Sequence, residues 1–286
     1  MNGKKVWYKL EDLKKQKAQI FFFTGTGNTL LLAQEIADEM SQNDWEAELR
    51  PMESANDLGA SDTLLGLVFP VACFSTYPVV LRFIDALPEG KGRRVFLAAS
   101  MGGAGLGMEG PIKKLLLQKG YTPLASQFFT MPGNYGQKQI PTEENAKRLG
   151  TALPEARTFA QALMQGKGHW GNGVPLISAL LSKWGHSRKP WKFFYGLYPL
   201  AVSNEKCSQC GLCIRLCPSS AIHSKDGYPF ISPDCCDSCQ RCVGFCPVGA
   251  IYVPGKPAVR YRAMEYSAFA KAFKEGKRQS KQENSN

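Results

Sequence analysis

Eight cysteines fall into two identically spaced runs. Cys207, Cys210, Cys213 and Cys217 precede Pro218, and Cys236, Cys239, Cys242 and Cys246 precede Pro247. Each run reads C-x₂-C-x₂-C-x₃-C-P. Three thiolates so close together can wrap one face of a cubane iron–sulfur cluster, while the fourth is placed to ligate the other cluster. The expected ligand sets are therefore crossed. One takes Cys207, Cys210, Cys213 and Cys246, and the other takes Cys236, Cys239, Cys242 and Cys217. The runs repeat at an offset of 29 residues, with Ser203 matching Ser232 and Ala221-Ile222 matching Ala250-Ile251. Zinc sites come as separated C-x₂-C pairs, and disulfide frameworks belong to oxidising compartments. Neither fits four cysteines packed this tightly before a proline. Cys235 stands outside the pattern, because its repeat partner is Lys206.

A second stretch has the residue types for holding an anion. The apolar run at 19–24 reads as a buried strand, and residues 30–37 read as a helix. Between them lies Thr24-Gly25-Thr26-Gly27-Asn28-Thr29. A strand, a loop of hydroxyls and glycines, and a helix N-terminus together cradle phosphate. The loop has no Gly-Lys-Ser/Thr, so it is not a Walker loop. Leu30 occupies the place of the third glycine of a dinucleotide loop, and Arg50 occupies the place of its acid. What remains is a phosphate loop built from hydroxyls and amides. It resembles the flavodoxin loop T-x-T-G-x-T, which implies FMN.

The surrounding pattern supplies a scaffold. Strand-like runs at 45–50, 63–69, 94–99 and 122–130 alternate with helix-like runs at 78–86 and 111–119, and a last helix covers 143–164. This is the α/β alternation of a parallel sheet. Five strands suit the doubly wound, flavodoxin-like order, with the ligand at the carboxyl ends of the strands. Two further loops fall there: residues 70–78 after the third strand and 100–107 after the fourth. In flavodoxins these loops flank the flavin ring. That resemblance assigns Pro70, Val71, Ala72, Phe74, Ser100, Met101, Gly102, Gly103 and Gly105 to the cofactor, with Phe74 or Tyr77 stacking on the ring. Gly105-Leu-Gly107-Met-Glu-Gly110 also fits G-x-G-x-x-G, but it follows the fourth strand and no acid lies where a ribose would need one. It belongs to the flavin loop.

After the fifth strand comes Met131-Pro-Gly-Asn134-Tyr135. With the phosphate loop and the eight cysteines, this segment resembles the EFR1-type ferredoxin family, in which a flavodoxin-like domain is fused to a bacterial two-cluster ferredoxin. The likeness covers residues 18 to about 255. It adds Asn134 and Tyr135 to the cofactor site. It departs at Ala72, where relatives often carry an aromatic residue, and Phe74 is the expected substitute.

The expected organisation is a flavodoxin-like domain at 18–165, a glycine-rich then basic and aromatic connector at 166–200, a small α+β ferredoxin domain at 201–255 and a charged tail at 256–286. The connector includes a helix candidate at 176–184. The tail from Lys271 reads as disordered. The net charge of +11 and pI near 9.2 favour anionic partners, an acidic redox protein among them. Nucleic acid is not the expected partner, since no nucleic-acid motif accompanies the charge. No uncharged stretch reaches bilayer length, no secretory signal is evident, and thiolates holding iron imply a reducing compartment. A cytoplasmic protein is expected. No His/Asp/Ser constellation for bond-making is present. The expected function is electron transfer between FMN and two [4Fe–4S] clusters. The alternatives are an FMN-dependent reductase of a small substrate fed by the clusters, and a redox-sensing or binding protein with structural clusters.

Overall fold

The computed structural model describes residues 16–54, 62–73, 75–103, 108–135, 142–172, 187, 189–257 and 259–283, with side chains to 274. The first strand, β1 (Lys17–Phe22), is apolar and buried almost throughout. A parallel sheet forms around it from β2 (Glu46–Pro51), β3 (Leu64–Ala72), β5 (Arg94–Met101) and β6 (Thr122–Thr130). The order is β2-β1-β3-β5-β6, and the two-residue β4 (Ser75–Thr76) folds back on β3. This doubly wound order is flavodoxin-like, with its switch point between β1 and β3. Strands β1, β3 and β5 are buried on both faces because helices cover each side. On one face α1 (Asn28–Gln42) and α4 (Glu143–Met164) pack over Ile20, Phe22, Phe96 and Phe129. On the other, α2 (Pro78–Ala86) and α3 (Glu109–Gln118) cover Phe21, Phe23, Leu67 and Leu97.

The glycine-rich stretch after α4 differs from a free linker over residues 166–172. It runs along β6, where Ser126 N–H donates to His169 O and Gly171 N–H to Ser126 Oγ. Trp170 is buried, with its indole N–H on Glu109 O. The helix expected at 176–184 lies outside the described residues. Helix α5 (Lys189–Leu197) carries the connector's aromatics back onto the first domain.

The cysteine domain is a near-exact double. Helices α6 (Leu212–Leu216) and α7 (Arg241–Phe245) are related by the 29-residue offset, as are their thiol contacts. Ala221 N–H points at Cys217 Sγ and Ala250 N–H at Cys246 Sγ, each at 3.2 Å. Ser203 O accepts from Cys207 N–H and Ser232 O from Cys236 N–H, each at 3.0 Å. Short strands β7 (Ala201–Val202) and β10 (Ile251–Tyr252) pair at one end, and β8 (Ile222–Lys225) pairs with β9 (Tyr228–Ile231) at the other.

The tail corrects the expectation of disorder. Residues Tyr266–Glu283 form helix α8. Phe269 and Ala272 are buried in the first domain's core, and Phe273 packs edge-on against Phe22. Charge dominates the composition there, but two aromatics four residues apart share one helix face. Phe245 of the cysteine domain joins this core too, with its ring 4.3 Å from Phe269. No described helix is long and apolar enough to cross a membrane.

Candidate cofactor sites at the domain junction

Pro70 and Ser100 are register partners at the carboxyl ends of β3 and β5, so the loops after β1, β3 and β5 open on one side. Together with the 131–135 segment they enclose a cavity of about 410 Å³. Thr24, Gly25, Thr26, Asn28 and Thr29 line its polar end, and Ser100 joins them through a 2.7 Å hydroxyl contact with Thr29. Pro70, Val71, Ala72, Met101, Gly102 and Gly103 line the opposite part with Asn134 and Tyr135. Phe74 and Gly105 lie outside the described residues.

Three residues of the phosphate loop have tasks other than facing the cavity. Thr24 Oγ1 accepts from Gly27 N–H and closes the turn. Gly27, at φ 104°, starts α1 from the left-handed region that favours glycine. The Asn28 amide donates to Pro132 O and accepts from the Tyr261 hydroxyl, which ties together three loops. Thr26 and Thr29, the latter also touching Ser100 Oγ, are the loop's other hydroxyls at the polar end. The cavity therefore has a hydroxyl-and-amide end at a helix N-terminus and a long, mainly apolar remainder. These residues fit FMN: the first end suits its phosphate, and the second suits a flavin ring.

The sequence reading named Tyr77 as a candidate for the ring but missed Trp191 and Phe194, which line this cavity beside it. The Trp191 ring lies 5.1 Å from that of Tyr77. Trp191 arrives from the connector, so its position depends on how α5 docks. Cys73 lines the cavity as well. Burial pushes its thiol up to about 12, so it is an inert packing group at neutral pH. The hydroxyls of Tyr77 and Tyr135 hydrogen-bond each other, and Tyr135 donates onward to Ser238 O. Burial holds both phenols protonated, raising each above its ordinary value.

The thiols fall into the two crossed sets. Cys207, Cys210 and Cys213 line a cavity of about 120 Å³ with Cys246 from the other run. Cys236, Cys239 and Cys242 face one another and Cys217. Burial, then the neighbouring thiols, raise Cys242 well above its ordinary value. Burial alone is the largest cause for Cys239, at about 12, and Cys236, at about 11. Four thiolates cannot share such a site without a cationic centre to offset desolvation. Among the described residues no three His, Cys, Asp or Glu converge on a point that would hold a single ion. A set of four sulfur donors, ringing a cavity in the case of Cys207, Cys210, Cys213 and Cys246, suits an iron–sulfur cubane. Cys235 is exposed and belongs to neither set.

The second set adjoins the flavin-type cavity. Cys239 packs in the same apolar group as Tyr77 and Trp191. A methyl group on Gly25 would stand 2.2 Å from Cys239 O, so only glycine admits this approach. Between the loops sits Arg241, almost fully buried. Its Nε and Nη2 donate to Thr24 O at 3.2 and 2.6 Å, its Nη1 to Leu216 O at 3.1 Å, and its Nη2 to Glu53 Oε1 at 2.6 Å. Phe23, Phe269 and Phe273 surround the guanidinium at 5.2–5.5 Å. Ala263 N–H closes the other side on Thr26 O.

This arrangement defines a flavodoxin-like domain joined to a cysteine-rich one. The second part matches the family model described as "4Fe-4S binding domain", twice, at residues 200–223 and 229–252. The chain thus carries a 4Fe–4S binding domain. No curated protein sequence matches it. Solved structures similar to it include a flavodoxin from the domain Archaea, at 15% identity over 54% of this chain and 100% of that one, with a TM-score of 0.39. Another is the two-electron reduced flavodoxin of Megasphaera elsdenii, at 26% identity over 48% of this chain and 98% of that one, with a TM-score of 0.36.

Proposed function

We propose that the protein relays electrons between FMN, held in the first domain, and two [4Fe–4S] clusters, delivering them to or from a redox partner. The observation that carries this reading is the contact of Cys239 with Gly25, which sets a cluster-ligand loop against the phosphate loop. When bound, FMN exchanges electrons in pairs or singly and a cubane exchanges one at a time, so their union converts two-electron into one-electron transfer. The chain's own residues keep the path short. Tyr135 lines the flavin cavity and donates to the carbonyl next to Cys239. Trp191 and Phe194 give the cavity an aromatic wall on the connector side. The outer thiol set includes the exposed Cys210, so a partner meets the clusters on that face. The positive net charge favours an acidic partner. Membership of the EFR1-type family and a cytoplasmic location are part of the same proposal.

Two results test it. Anaerobically prepared protein should contain about eight irons and eight sulfides per chain with one FMN. Near four irons after full reconstitution would remove one cluster, and FAD in place of FMN would overturn the phosphate-loop reading. Thr26→Ala with Thr29→Ala removes the two hydroxyls that face the anion. A hydrogen bond to a charged group contributes about 1.5–3 kcal/mol, so FMN affinity in a fluorescence titration should fall at least about tenfold. Unchanged affinity in the double variant would place the phosphate elsewhere.

A further inference from the structure

A second cavity, of about 220 Å³, lies at the junction and adjoins the flavin-type cavity at Tyr135. The cysteine domain forms one wall, residues 256–257 and 259–261 another, and Asn134 and Tyr135 line both cavities. Its charge is one-sided. Lys206, Lys256 and Arg260 line it, and among the described residues no acidic side chain does. Arg260 is partly engaged, donating to Cys246 O, and Lys256 lies 5.6 Å from the Tyr198 ring centre. The rest of the lining is largely apolar and aromatic, with Tyr198, Val248 and Tyr252 among it.

Gln240 is the informative residue. It lines this cavity at only 5% exposure, and its amide nitrogen is a buried donor with no hydrogen-bond partner. Such a donor costs stability unless something accepts from it. Its backbone adds a second cost. Gln240 sits at φ 61°, in the left-handed region, immediately before α7. The repeat-related residue before α6 is Gly211, at φ 65°, which takes the same conformation without strain. The second repeat thus holds a strained, buried amide where the first manages with glycine. The cluster geometry does not require it.

We propose that this cavity binds a small organic anion, a carboxylate or phosphate monoester with a compact apolar body. The head would accept from the Gln240 amide and pair with Lys256 and Lys206, and the body would pack against Tyr198 and Tyr252. The site stands apart from the flavin reading, because Gln240, Lys206 and Lys256 do not line the flavin-type cavity. A ligand here would still touch Tyr135 and so lie beside any path between flavin and cluster.

Calorimetry on the protein with its clusters and flavin in place tests this, with benzoate, phenyl phosphate, benzamide and inorganic phosphate as probes. Benzoate or phenyl phosphate should bind, and whichever binds more tightly identifies the head. Benzamide, the neutral isostere, should not bind. Inorganic phosphate should bind at least about tenfold more weakly than the tighter aromatic anion. Gln240→Gly copies the first repeat and should keep the visible cluster spectrum while weakening the tighter probe at least about tenfold. Lys256→Glu should do the same from an exposed position. Failure of both aromatic anions to bind, equal binding of benzamide, phosphate binding as tightly as the aromatic anions, or unchanged affinity in both variants would each overturn the proposal.

Discussion

Removing the iron should unfold residues 201–255 and leave the first domain's sheet intact. Apart from its junction with the first domain, the cysteine domain has little else to hold it. Its apolar core is a group of eight buried residues, and two of those, Cys236 and Cys242, are ligands themselves. Its strands are two to four residues long and its helices five, too short to persist alone. The inner thiols are raised by burial and by one another, so the metal-free domain would bury protonated, mutually crowded groups with no centre to organise them. In so small a domain metal binding is folding energy. Hydrogen exchange after anaerobic chelation checks this by segment. Amides in the 222–231 hairpin should lose protection, while those of β1, β3 and β5 keep it. Protection that survives in the hairpin would show a fold independent of the clusters.

Arg241→Met should separate the two domains without removing a cluster ligand. Methionine preserves much of the apolar stem, so the loss is that of the guanidinium. Thr24 O would lose its two donors from this residue and the partly buried Glu53 its ion pair. Breaking a buried pair by removing one partner costs about 3–5 kcal/mol. Arg241→Lys retains the charge but not the planar fork that reaches Thr24, Leu216 and Glu53 together, so its effect should fall between Met and the native residue. Denaturant titration with the clusters intact gives the cost. Exchange at 24–29 and 261–264 locates it, and both segments should open in Arg241→Met. A change below about 1 kcal/mol, the range of an exposed pair, would mean that Arg241 does not hold the junction.

Much of the chemistry was legible from spacing, because both cofactor motifs are local. A cluster loop places three ligands within seven residues, and a phosphate loop joins consecutive elements. The bounds of α2, β6 and α4 matched the sequence reading, where apolar period and Pro or Thr starts agree. The junction was not legible. Arg241 and Thr24 stand 217 positions apart, and nothing local distinguishes a buried interdomain arginine from a solvated one. Trp191 read as connector packing and not as part of a cofactor cavity, because its target is set by how α5 docks. Gly25 read as a phosphate-loop glycine, yet its tightest contact is a carbonyl of the other domain. The tail misled because its charge outweighs Phe269 and Phe273 in composition while their four-residue spacing decides the fold. Gln240 carried one faint signal: it breaks the internal repeat at a position where the partner is glycine.

In the proposed relay, one chain carries electrons between its own flavin and its own nearer cluster. Flash reduction of the flavin, with flavin and cluster absorbance followed separately across a dilution series, tests it directly. The transfer rate should be independent of protein concentration and only weakly sensitive to salt, because the contact of Gly25 with Cys239 is built into the fold. A rate that falls in proportion to dilution would show that flavin and cluster meet only between molecules, and would contradict the single-chain relay.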